Sequence, residues 1–151
     1  MEVVGGGSVN LGSLNLVNGA TVTVAGNQSY NLTGTSAGET LTTFGGNDTI
    51  AAGEGGDIIS SGAGVDSVSA GGGDDVIIVS GKSTITDTLD GGSGTDTLRI
   101  TGGDVDLSAA TLGGIEKLEA NSASLALTQQ QYQQFQGNIT GTAGLLSLIH
   151  I

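Results

Sequence analysis

Thr43 to Val79 reads TFGGNDTIA, AGEGGDIIS, SGAGVDSVS, AGGGDDVII and V when cut every nine residues. Asp48, Asp57, Asp66 and Asp75 take the same place in each nonamer. A glycine stands two residues before each (Gly46, Gly55, Gly64, Gly73), and a β-branched aliphatic two residues after (Ile50, Ile59, Val68, Ile77). A fixed short period decides architecture before any other signal, because one unit cannot bury its own apolar side chain whereas stacked copies can. The frame extends both ways. Upstream, Glu39 has Leu41 two residues later and Ala37 in the glycine place. Downstream, three extra residues around Gly81 to Thr84 interrupt the frame. It recovers at Asp87–Thr88–Leu89 and runs through GGSGTDTLR, with Gly92, Gly94, Asp96 and Leu98.

Within one nonamer, the glycines let the backbone turn tightly at positive φ and leave carbonyls bare. The aspartate adds a hard, charged oxygen, and the D-x-U tail is a very short strand whose aliphatic points away from its neighbours. Calcium takes six to eight oxygen ligands, many of them main-chain carbonyls. From Gly34 to Arg99 the pattern resembles the G-G-x-G-x-D-x-U-x nonapeptide of the repeats-in-toxin (RTX) calcium-binding proteins. The resemblance implies an all-β fold: a right-handed parallel β-roll or β-helix solenoid in which two nonamers make one turn and ions sit between stacked loops. It pairs Asp48 with Asp66, Asp57 with Asp75, Asp66 with Asp87 and Asp75 with Asp96. It implies several Ca2+ ions, held by Asp48, Asp57, Asp66, Asp75, Asp87 and Asp96 and by the loop glycines Gly53, Gly55, Gly62, Gly64, Gly71, Gly73, Gly92 and Gly94.

The same stacking divides the core aliphatics between two sheets, Ile50, Val68 and Leu89 in one, and Leu41, Ile59, Ile77 and Leu98 in the other. Three loops depart from the pattern. Thr43 and Phe44 replace the first two glycines before Asp48, Thr35 and Ala37 stand where glycines belong before Glu39, and the stretched repeat ending at Asp87 lacks both loop glycines. An alternative without metal uses the aspartates in Asx-turns.

Composition narrows the function classes. Glycine is 29 of 151 residues, proline is absent and aromatics are 3 %, which suits a thin repetitive core rather than a wide globular one. A net charge of −12, with Lys82, Arg99 and Lys117 as the basic residues, argues against nucleic acid and anionic membranes. Cysteine is absent and His150 is the single histidine, so disulfides, thiolate metal sites and a Ser–His triad are not expected. No apolar run approaches the roughly 20 residues of a membrane span, and Met1–Glu2–Val3–Val4 opens no signal peptide. Secreted or cell-surface localisation, by type I export with an uncleaved C-terminal signal, is what the RTX resemblance implies.

The expected organisation is a short-strand segment over 1–33, the roll over 34–99 and further strands with a short capping helix over 100–137. Val9, Leu11, Leu14, Leu16, Val22 and Val24 mark short strands in the first segment. Asp104 to Leu107 reads as strand, SAATLGG as a single helical turn or loop, and Ile115, Leu118, Leu125 and Leu127 as thin strands. Thr128 is placed to cap QQQYQQF, with Tyr132 and Phe135 on one face and Gly137 as the stop. Asn138 to Gly144 echoes Asn31 to Gly38, and 138–145 reads as the start of a further repeat unit. Leu146 to Ile151, LSLIHI, fits no nonamer, resembles a translated sequencing adapter and reads as a non-native tail.

The reading that results is a calcium-binding structural module of a secreted or surface protein, without catalysis of its own. The alternatives are an accessory module of a polysaccharide-active enzyme or protease, and a sugar- or ice-binding adhesin module. For the last, Thr40, Thr42 and Thr49 form no unbroken ladder in the sequence. Ile58, Val76 and Ile78 break the rule of polar outward residues, and mark an expected packing face for another part of the chain or a partner.

Overall fold

The structure, a computed structural model, describes residues 2–4, 7–10, 19–80, 84–122, 124–141 and 146–149. The strand positions expected at Leu11, Leu14 and Leu16, most of the insertion after Ser80, and His150 lie outside the described residues.

Strands alternate between two parallel sheets as the chain winds. The eight-stranded sheet holds, in spatial order, β1 (Glu2–Val4), β3 (Thr21–Ala25), β5 (Thr40–Thr43), β7 (Ile58–Ser60), β9 (Val76–Ser80), β11 (Thr97–Thr101), β14 (Lys117–Asn121) and β16 (Ile139–Thr140). The six-stranded sheet runs β13 (Thr111–Gly113), β10 (Thr88–Ser93), β8 (Ser67–Gly72), β6 (Thr49–Glu54), β4 (Tyr30–Thr35) and β2 (Gly7–Asn10). The result is a β-solenoid of about 6 turns. Register fixes the turn length: Ile50 pairs with Val68 and Ile59 with Ile77, two nonamers apart. Across the insertion Val68 pairs with Leu89 and Ile77 with Leu98.

The expected division of aliphatics is the one observed. Ile50, Val68 and Leu89 line one wall, and Leu41, Ile59, Ile77 and Leu98 the other, each at most 2 % exposed. Alternation in a strand sends one residue of each pair inward, so a single column of β-branched and leucine side chains fills the narrow space between sheets. Outside, the register sets Thr49, Ser67, Thr88 and Thr111 in one exposed column, a nearly continuous hydroxyl ladder that spacing in the sequence did not reveal. Ile58 is exposed, and it pairs with half-buried Val76.

A third parallel sheet appears only after the insertion, with β12 (Asp104–Asp106), β15 (Ser124–Thr128) and β17 (Leu146–Ile149). Its first contact is a bridge between Thr84 and Asp106. The longer turns there need a third side, and Ile85, Val105, Leu125 and Leu127 fill it. One expectation is corrected here. In SAATLGG, Ser108–Ala109 is a turn held by the Ser108 N–H on Asp106 Oδ1, but Thr111–Gly113 is strand β13, paired with β10. The neighbouring turn supplied a sheet edge that local propensity could not foresee. Helix α1 (Gln129–Gln134) follows Thr128 in a capping box: the Thr128 hydroxyl accepts from Gln131 N–H, and the Gln131 side chain accepts from Thr128 N–H. Phe135 is fully buried beneath it. The Gln131 amide also donates to the Leu107 and Ala110 carbonyls, pinning the helix across the last turns.

Candidate metal centre

Each nonamer aspartate sits at a corner, just before the strand that carries its core aliphatic. Asp48, Asp66 and Asp87 occupy the corner where the chain passes from the eight-stranded to the six-stranded sheet. Asp57, Asp75 and Asp96 occupy the return corner. All six are at most 2 % exposed, an unusual position for carboxylates unless something compensates their charge.

The structure brings each expected pair together through the main chain. Oδ1 of Asp66 accepts the N–H of Asp48 at 2.9 Å, Oδ1 of Asp75 that of Asp57 at 2.7 Å, Oδ1 of Asp87 that of Asp66 at 3.0 Å, and Oδ1 of Asp96 that of Asp75 at 2.8 Å. Tyr30 N–H begins one ladder on Asp48, and Glu39 N–H begins the other on Asp57. These bonds cross from turn to turn, unlike an Asx-turn, which closes two residues away. Among the described residues, the second oxygen, Oδ2, of Asp48, Asp57, Asp75 and Asp96 is buried without a hydrogen-bond partner.

The loop glycines set the space around these oxygens. Gly53, Gly55, Gly62, Gly64, Gly71, Gly73, Gly92 and Gly94 all have φ between 79° and 138°. Gly64 shows why. A β-carbon there would stand 1.8 Å from the Gly46 carbonyl oxygen, and one on Gly71 would stand 1.9 Å from that of Gly53. Carbonyls of one loop thus point at bare α-carbons of the next, and oxygen lines the gap between turns. The imperfect loops keep the geometry by other means. Thr43 is buried with its hydroxyl donating to the Ser61 carbonyl, while Phe44 turns outward, 53 % exposed. Glu39 folds its carboxylate onto the Thr35 N–H and hydroxyl.

Burial pushes the Asp57 carboxyl up to about 6. The Glu39 N–H opposes that rise, and the charges of Asp75 and Glu39 add to it. Burial likewise raises Asp75, against the Asp57 N–H, with Asp96 and Asp74 adding. It raises Asp96 against the Asp75 N–H, with Glu116, Asp74 and Asp90 adding. Each carboxylate here is held charged only at a cost that a nearby cation would remove. The donors are carboxylate and carbonyl oxygens, a set for a hard cation. Among the described residues no three acidic or histidine side chains converge on one point, so a cation between these loops draws on main-chain carbonyls as well.

One ladder residue escaped the sequence reading. Oε2 of Glu116 accepts the Asp96 N–H at 2.9 Å, the place an aspartate takes in the turns below. Its signal was Gly114–Ile115–Glu116–Lys117–Leu118, with glycine two before the acid and an aliphatic two after. The change to glutamate and the longer spacing hid it. Asp104 is exposed, off both ladders, and accepts the Ser124 hydroxyl.

Residues 42–77 and 86–98 match the family described as the RTX calcium-binding nonapeptide repeat, in four copies. Repeats of this family bind Ca2+ ions, several per stretch. Comparison with curated proteins and with solved structures gives no match.

Proposed function

We propose, from the premise that residues 42–77 and 86–98 are RTX calcium-binding nonapeptide repeats, that this calcium-binding structural module folds when it meets calcium outside the cell, as part of a secreted or cell-surface protein. The observation that carries the proposal is the row of buried Oδ2 atoms left open among the described residues, facing loops whose glycines leave only carbonyls between turns. Asp48, Asp57, Asp66, Asp75, Asp87 and Asp96 supply charged oxygen, and the loops around Gly53, Gly55, Gly62, Gly64, Gly71, Gly73, Gly92 and Gly94 supply carbonyls. Stacked loops lie about 4.8 Å apart. Two carboxylates at that spacing repel by about 3 kcal/mol at an effective dielectric of 20. Calcium reverses that sign, so its binding energy becomes folding energy. Extracellular calcium modules work at about 0.1–1 mM, far above cytosolic calcium, which keeps such a chain open until export.

A titration followed by far-UV circular dichroism tests this. The chain gains β-structure cooperatively near millimolar calcium and responds much less to magnesium, which keeps its waters and demands tight octahedral geometry. Full β-content in chelator, unchanged by calcium, refutes the folding switch. A second reading, a flat sugar- or ice-binding face, is favoured by the exposed Thr49–Ser67–Thr88–Thr111 column. Co-sedimentation with insoluble polysaccharide, or ice affinity, that is lost in Thr88→Tyr would support it.

A further inference from the structure

The return-corner ladder does not stop at the last matched repeat. It climbs Glu39, Asp57, Asp75 and Asp96 and ends on Glu116, which lies outside the matched residues. We infer that the loops around Asp96 and Glu116 form a further calcium site, closed by a glutamate in place of the repeat aspartate and assisted by Asp90. The inference rests on the calcium reading above and extends it to residues that the repeat pattern does not include.

Three observations carry it. Asp96 is 1 % exposed, and among the described residues its Oδ2 has no hydrogen-bond partner. That oxygen is aimed at a bare α-carbon. A β-carbon built on Gly91 would stand 2.7 Å from Asp96 Oδ2 and 2.1 Å from the Gly114 carbonyl oxygen, so a carboxylate and a carbonyl from successive loops converge on one small space. Asp90 completes the surroundings, since a β-carbon on Gly114 would stand 2.9 Å from Asp90 Oδ1. The donors are all hard oxygens of mixed carboxylate and carbonyl type, which is calcium chemistry rather than zinc chemistry.

Glu116 differs from the lower rungs in being exposed. One carboxylate oxygen holds the Asp96 N–H, and a longer side chain on a half-open loop leaves the other facing solvent. Such a site keeps more water on its ion and binds it more weakly than the enclosed rungs. It should fill last as calcium rises.

Calorimetric calcium titration of the full chain tests the site, with the number of ions per chain and the weakest binding step as readouts. Glu116→Gln keeps an oxygen for the Asp96 N–H but removes the charge. The expected result is the loss of one calcium equivalent, or at least a tenfold weakening of the last step, with the circular dichroism of the calcium-loaded protein unchanged. Asp90→Asn, at an exposed position, should weaken the same step about threefold or more, and it carries the test alone if Glu116→Gln does not fold. Asp104→Asn is the control and leaves both readouts in place. Unaltered stoichiometry and affinity in Glu116→Gln and Asp90→Asn, with the wild type binding several ions, would make Glu116 a structural rung only and overturn this inference while leaving the calcium module intact. A wild-type chain that binds no calcium overturns both.

Discussion

Asp75 does two jobs that separate substitutions can pull apart. Its Oδ1 accepts the buried N–H of Asp57 at 2.7 Å, and its Oδ2 is among the open oxygens of the return corner. Asp75→Asn keeps an oxygen for the N–H and removes the charge. Asp75→Ala removes both. A buried donor left without an acceptor costs about 1–3 kcal/mol, which is about 5- to 150-fold in a folding equilibrium. Urea unfolding in saturating calcium should therefore place Asp75→Ala below Asp75→Asn by about that amount. Loss of the charged ligand is common to both, so each should raise the calcium midpoint for folding several-fold. In chelator the order changes in a telling way. Asparagine no longer repels Asp96 and Asp74, the charges that add to the raised Asp75 carboxyl, so the metal-free form of Asp75→Asn should gain β-structure relative to wild type. Equal stability of the two variants in calcium would refute the role of the turn-to-turn clasp. A calcium midpoint shifted as much by Asp104→Ala as by Asp75→Ala would show that calcium acts by screening total charge, and the argument from stacked loops would fail.

Acidity should act in the opposite sense with and without metal. The Asp57 carboxyl is pushed up to about 6, chiefly by burial, and Asp75 and Asp96 move the same way. Acids raised on folding stabilise the metal-free fold below their unfolded value, near 4, and that stability is lost as pH rises through about 6; for Asp57 alone it amounts to roughly 2–3 kcal/mol before solvent screening. Circular dichroism in chelator should show β-structure increasing from pH 7 to 4, whereas the calcium midpoint should rise over the same interval as protons compete. Gly64→Ala should prevent cooperative folding even in excess calcium, because its β-carbon would meet the Gly46 carbonyl at 1.8 Å in a left-handed backbone; a normal titration curve would contradict the tight stacking. Thr128→Ala should cost about 1 kcal/mol through the lost capping box, seen in thermal melts but leaving calcium stoichiometry unchanged.

The repeats were legible because their physics is local and periodic. Two-residue alternation around each aspartate assigned Ile59 and Ile77 to one wall and Ile50 and Val68 to the other, and the capping of Gln129–Gln134 by Thr128 followed from residue type alone. What escaped depends on neighbours distant in sequence. Thr111–Gly113 becomes strand because β10 offers an edge, and the third sheet exists because the lengthened turns need another side. Glu116 takes its rung because the Asp96 N–H lies beneath it. The aspartates were expected to face one another across ions. Their grip on the main chain of the preceding turn has no signature in a nonamer, since donor and acceptor sit two repeats apart.

That grip also determines how the solenoid would bear tension. A load along the stacking axis falls on one inter-turn interface at a time, like a zipper, since each turn is tied to the next by its ladder bonds and aspartate clasps. Each two-nonamer turn that peels away releases roughly 60 Å of extended chain. Pulled by its ends, the protein should lengthen in steps of that size rather than in one rupture, and calcium, sitting where the turns part, would set the force of each step.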